Sequence, residues 1–230
     1  MTWKQIFTSS IGKKIIMAFS GLFLITFLIV HAGVNSCIFL NDNGETFNEV
    51  AHFMSHNWIV RFLEIGLFAG LILHIIQGLM LWKQNRAARP VAYHLSKPQA
   101  NSTWYSRSMG ILGTLLLLFL IMHISHFFVG TKIALYGGDA QAVANGIPPH
   151  NLFSEMKLVF GEWYIVVFYL LGLIALFWHL LHGFQSAFQT FGMNHKKFTP
   201  IIKAAGIGYS VIICILFALM PIAFYLGWIA

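Results

Sequence analysis

Charge is scarce in this sequence. Only 9% of its 230 residues are Asp, Glu, Lys or Arg, against roughly a quarter in a water-soluble domain. A chain so poor in charge and 58% hydrophobic cannot clothe a water-facing surface. That excludes an ordinary soluble domain and directs the chain to lipid. Cysteine is nearly absent. Cys37 and Cys214 show no CxxC spacing, which leaves no readable disulfide framework or iron–sulfur site and reduces both to small apolar side chains. Acids number 7 against 14 bases, for a net charge of +7. The bases come in short clusters between apolar runs, a signature of membrane topology and not of nucleic-acid binding. What is plentiful is Phe (22), Trp (7) and His (11).

A bilayer core takes about 20 mostly apolar residues per helix. Five segments satisfy this, at about 15–39, 59–82, 108–130, 163–190 and 203–229, with ends uncertain by roughly 2–4 residues. The first follows Lys4, Lys13 and Lys14 but runs past the roughly 7–15 apolar residues of a signal peptide and has no A-x-A site, so a retained membrane helix is expected. Turn chemistry separates the runs: Asn41-Asp42-Asn43-Gly44, Arg89-Pro90, Lys97-Pro98, Gly137-Gly138, Pro148-Pro149 and Gly192 through Pro200. The expected fold is a single all-α membrane domain over residues 1–230, five transmembrane helices in one bundle.

Five spans put the termini on opposite sides. The N-terminus and the loops at 83–107 and 191–203 share one side, with 11 of the 14 bases and no acid. Asp42, Glu45, Glu49, Glu64, Asp139, Glu155 and Glu162 fall on the other. The positive-inside rule then places the N-terminus in the cytoplasm and the C-terminus outside. The basic face suits an acidic partner or anionic lipid.

Histidine carries the chemistry. His52, His56, His94, His150 and His195 lie in loops. His31, His74, His123, His126, His179 and His182 lie within four of the five runs, and the fifth has none. An imidazole inside a membrane segment marks a functional site by default; a single one is as often an interhelical hydrogen bond, but six are not explained that way. At about 1.5 Å of rise per residue, His31 and His123 lie about 24 and 22 Å above the cytoplasmic end of their spans, His74 about 13 Å and His179 about 9–15 Å. Two levels of two histidines, each pair from different helices, suit two bis-histidine haems stacked in a bundle: His74 with His179 as the inner pair, His31 with His123 as the outer. Gly66, Gly70, His74 and Gly78 repeat every four residues, and Gly172, Ala175, His179 and Gly183 nearly so. Both ligand candidates are thus followed by glycine at the fourth residue, where a flat macrocycle needs bare helix surface, although such stripes also serve helix packing. His126 and His182 are rivals for ligation, or partners for a haem propionate. Ser20, Lys13, Lys14, Arg107 and Gln185 are propionate-side candidates for the inner haem. Zinc or iron sites built from side chains usually include a carboxylate or thiolate, and no acid lies at these depths.

These residues resemble those of the five-helix, di-haem cytochrome b subunit of succinate:quinone oxidoreductases, the succinate dehydrogenase and fumarate reductase family. The resemblance covers nearly the whole chain. It rests on Phe27-Leu28-Ile29-Val30-His31 with Asn35, on Phe47-Asn48, Ala51-His52-Phe53-Met54 and Leu63-Glu64-Ile65, on His74-x-x-x-Gly78, on Phe119 through His123, and on His179-x-x-x-Gly183. It selects His123 over His126 as a ligand. It implies two haem b groups, a flavoprotein partner with FAD and an iron–sulfur partner on the cytoplasmic face. It also implies electron transport between succinate or fumarate there and a membrane quinone, commonly menaquinone, in the cytoplasmic membrane of a bacterial-type respiratory chain. The chain has no flavin or iron–sulfur motif, as fits an anchor subunit that lacks the succinate site. Glu49, His56, Arg61 and Glu64 are the candidates for the quinone site. Some fumarate-reducing members carry a glutamate two residues before the fourth-helix ligand; here that position is Phe177, and the proton route assigned to it is not implied. Two other readings stay open: the cytochrome b of a hydrogenase or formate dehydrogenase, and a proton-coupled transporter with histidine relays.

Overall fold

The computed structural model describes residues 9–88, 102–130, 132–133 and 151–229. Lys4, Arg89, Lys97, His94, Asp139, His150 and the turns at Arg89-Pro90, Lys97-Pro98, Gly137-Gly138 and Pro148-Pro149 lie outside the described residues. Among those described, the chain is helix and turn with no strand. Five helices are long and apolar enough to cross a membrane.

In chain order the helices are α1 (Ser10–Asn35), α2 (Glu45–His56), α3 (Trp58–Ala87), α4 (Trp104–Arg107), α5 (Met109–His123), α6 (Leu152–Phe160), α7 (Trp163–Thr190) and α8 (Phe198–Tyr225). A 3-10 turn, Ser36–Leu40, extends α1, and a π-helical turn, Ile124–Val129, extends α5. The spans differ from the hydropathy reading mainly at their polar ends. The first begins at Ser10, because Ser9 caps it by accepting from the Gly12 amide at 3.0 Å. The second continues to Ala87, since Lys83, Gln84 and Arg86 are good helix formers whatever their polarity. The fifth runs from Phe198 and stops at Tyr225, where Gly227 turns left-handed at φ +66°.

Helices α1, α3, α5 and α7 form a ring in which each packs on its sequence-ordered neighbour and α7 closes back on α1. The ring is antiparallel around its edge. Phe23 meets Gly70 and Met17 meets Gly78 between α1 and α3, and Phe119 lies against Gly172 between α5 and α7. The glycine stripes therefore divide. Gly70, Gly78 and Gly172 admit a neighbouring side chain and serve packing, whereas nothing lies within 4 Å of a Cβ built on Gly66 or Gly183. Helix α8 buttresses α7 and α1 from outside the ring, and the Tyr209 hydroxyl donates to the Ile25 carbonyl at 2.8 Å.

The larger buried apolar cluster caps one end of the bundle. Phe47 of α2, Phe153 and Phe160 of α6, Tyr169 of α7 and Phe224 of α8 meet there. Asn48 fastens the two short helices together: its Nδ2 donates to Asn151 Oδ1 at 3.0 Å and its Oδ1 accepts from the Phe153 amide at 3.2 Å. The turn entering α2 is left-handed at Asn41, Asn43 and Gly44, with φ of 58°, 58° and 79°. Asp42 fixes it by accepting from the Gly44 and Thr46 amides, each at 3.0 Å. Hydrogen bonds from Thr46 hold its carboxyl below the ordinary carboxylate range.

A Cβ on Gly44 would run into the Phe153 ring, whereas one on Gly192, also left-handed at φ +80°, would meet open space. Both Gly44→Ala and Gly192→Ala should show the backbone cost of about 1–2 kcal/mol. Gly44→Ala should lose clearly more, read as the larger drop in thermal unfolding temperature in detergent; equal drops would show that the α2–α6 clasp gives way.

Candidate functional site

The four ring helices bring the intramembrane histidines together across the bundle. His31 of α1 and His123 of α5 stand with ring centroids 5.8 Å apart and planes at 85°. His74 of α3 and His179 of α7 stand at 6.1 Å and 64°. Helices α1 and α5 are diagonal partners in the ring and do not pack side by side, and neither do α3 and α7. Each pair thus bridges one diagonal. Along α1, His31 lies eleven residues beyond Ser20, which touches His74, so the two levels are about 16 Å apart.

Each pair joins one ring tied to α1 with one that has no partner. Ser20 is 4% exposed and its hydroxyl donates to the Met17 carbonyl at 3.2 Å. Its oxygen lies 3.0 Å from His74 Nδ1. When the hydroxyl proton goes to that carbonyl, the His74 ring donates from Nδ1, the tautomer that leaves Nε2 unprotonated with its lone pair free. At the other level the Asn35 amide donates to the His31 carbonyl at 2.8 Å and lies 3.3 Å from His31 Nδ1. His123 Nδ1 and His179 Nδ1 are buried and have no hydrogen-bond partner. A buried polar atom left this way costs about 1–3 kcal/mol and calls for a functional explanation.

The rivals are placed differently. His126 lies in the π turn, a feature often found at functional sites. Its Nδ1 is hydrogen-bonded to Tyr169 Oη at 3.1 Å, and the two rings are stacked at 6.0 Å. His182 packs edge-on against Tyr105 at 6.3 Å. Neither rival faces a second histidine across a diagonal. Tyr169 was not evident from the sequence, because an aromatic in an apolar run looks like core; it lies 6.0 Å from His123 as well.

No protein family, curated protein or solved structure matches this chain. The site must therefore be read on its own geometry. Two imidazoles bound through ring nitrogens to one metal, at about 2 Å per bond, set their ring centroids roughly 6 Å apart. Both observed pairs meet that spacing. Among the described residues no group of three or more His, Cys, Asp or Glu is placed to hold a metal ion. A metal at either level would take its other donors from a bound molecule, and the two-histidine set fits the axial positions of a haem. The open surface at Gly183, one turn from His179, fits a flat ring beside that ligand.

The four quinone candidates separate. Glu49 and His56 are exposed, and His56 is stacked on His52 at 3.9 Å with its Nδ1 2.9 Å from the Ser55 hydroxyl. Arg61 and Glu64 come together at 3.6 Å, and Lys132, which the sequence did not single out, joins them at 3.1 Å from Glu64. Lys132 also lies over the Phe128 ring at 4.9 Å. Ser20, expected on the propionate side, lies against His74.

Ser20→Ala should leave His74 Nδ1 unpaired and lower stability by about 1 kcal/mol or more, whereas Ser20→Thr, which keeps a hydroxyl, should stay near the parent. Thermal unfolding in one detergent reads both; equal losses for Ala and Thr would show that the hydroxyl contact is not what matters.

Proposed function

We propose that this chain is the membrane anchor and electron-transfer subunit of a succinate dehydrogenase or fumarate reductase complex, carrying two b-type haems and reacting with membrane quinone. The observation that carries this reading is the pair of imidazole couples on crossed diagonals, spaced 5.8 and 6.1 Å. His74 and His179 would hold the inner haem, and His31 and His123 the outer. A haem with two imidazole ligands supplies one-electron transfer and leaves no open position for oxygen or substrate. The residues do the positioning. Ser20 keeps His74 in the ligating tautomer, and Gly183 leaves clear surface beside His179. The aromatic side chains Phe27 and Phe119 stack on His31 and His123 at 5.2 and 5.6 Å and limit their rotation.

In this reading the N-terminal, basic side faces the cytoplasm and docks the iron–sulfur and flavin-bearing partners, whose surfaces would supply the acids this side lacks. Electrons pass between those partners and a quinone through the two levels. Glu64, with Arg61 and Lys132 on either side of its carboxylate, is the strongest quinone-site candidate on the opposite side. Menaquinone is the expected quinone by resemblance.

His74→Ala should lose the inner haem and keep the outer. The purified variant should show about half the parent's reduced b-haem absorbance per chain, with covalent flavin and iron–sulfur polypeptides still co-purifying. Retention of both haems would remove His74 from the ligand set, and co-purification with a nickel or molybdenum enzyme would assign the chain to another oxidoreductase.

A further inference from the structure

Helical repeat puts Lys13, Ser20 and His31 on one face of α1, since seven and eleven residues are close to two and three turns. Ser20 touches His74 and His31 faces His123, so this face looks into the ring of helices. Lys13 is the polar member of the stripe nearest the N-terminal side, about 10 Å below Ser20. It is 7% exposed. Among the described residues its ammonium makes no hydrogen bond or ion pair, although its backbone amide donates to the Ser9 carbonyl at 3.0 Å, and its neighbour Lys14 is exposed in the ordinary way. A lysine that can reach water along its flexible stem normally does so. One folded under its neighbours, as Lys13 is, stands where it can meet an anion that enters beside it.

Helix α3 supplies a second polar group in the same region. Gln77 is the only buried residue of α3, at 4% exposure, and its Oε1 has no partner. The register of the two helices sets its height: Met17 meets Gly78, and His74 lies beside Gly21. Gln77 therefore falls between the levels of Ser20 and Met17, and Lys13 about one turn below Met17. Both groups lie on the N-terminal side of the His74–His179 pair. Of the other candidates for that side, Ser20 is engaged by His74, and Arg107, which is exposed, by the Ser102 carbonyl at 2.6 Å.

We propose that Lys13 and Gln77 form a buried seat for the carboxylate side arms of the inner haem, a role that rests on the di-haem reading above. An ammonium neutralises a carboxylate, and a primary amide, turned either way, offers it two N–H donors. The seat fixes which edge of the macrocycle points toward the N-terminal side. It also tunes the redox equilibrium, because reduction adds one negative charge that a nearby cation stabilises.

The test is a potentiometric titration of the purified whole complex, with the inner haem identified as the step absent in His74→Ala. Lys13→Gln should lower the inner-haem midpoint by at least a tenfold change in its one-electron equilibrium, about 59 mV, and leave the outer haem in place. Lys13→Arg, which keeps the charge, should stay near the parent. Gln77→Glu, which sets a like charge against the carboxylates, should lower the same midpoint or empty the inner level. Two haems with unchanged midpoints in Lys13→Gln and Gln77→Glu would overturn the proposal. Unchanged midpoints together with loss of tightly bound phospholipid from Lys13→Gln would overturn it in favour of a lipid phosphate at the same seat. A parent complex without haem would overturn the di-haem reading itself.

Discussion

An imidazole placed inside a bundle that faces lipid must find a partner, because there is no water to hydrate it. This chain places four such rings in two couples and gives side-chain partners to only half of them. Ser20 and Asn35, both on α1, stand against His74 and His31. The opposing rings, His123 and His179, keep buried nitrogens unpaired. Such an arrangement stabilises no fold by itself. In the proposed reading the four rings are ligands held ready, with α1 as the element that orients both levels.

The distribution of packing follows from that constraint. The buried apolar clusters lie where α7 meets α1 and α8, and at the end capped by α2 and α6. The α3 helix, thirty residues long, buries only Gln77. The bundle is thus tied together around α7 and at its cap, while the ring interior holds imidazoles, glycine surface and the unpartnered Oε1 of Gln77, with Lys13 toward its N-terminal end. The histidine-free fifth helix is a buttress outside the ring, and its polar intramembrane groups serve packing: Tyr209 donates to the Ile25 carbonyl and the buried Ser210 to the Gly206 carbonyl.

Much of this could be read in the sequence. Apolar runs located five helices, and a rise of about 1.5 Å per residue sorted the histidines into the couples whose rings meet. Hydropathy set the ends poorly because capping and helix propensity, not polarity, decide them, as at Ser9 and along Lys83 to Arg86. Side-chain partnerships across helices were beyond a one-dimensional reading. Ser20 looked like a propionate contact and Tyr169 like core, and neither Lys132 nor Gln77 was singled out. Ser20, Tyr169 and Lys132 each gain their meaning from a neighbour 43 or more residues away in the chain, as Tyr169 does from His126. The glycine stripes were legible as stripes, but only the neighbouring helices separate Gly172, filled by Phe119, from Gly183, which stays clear.

The most direct test of the paired-imidazole account is the dithionite-reduced minus air-oxidised spectrum of the purified complex, with haem counted per chain. The account predicts two b-type haems per chain, both low-spin. A colourless preparation, or haem with an open coordination position that binds carbon monoxide at both levels, would contradict it.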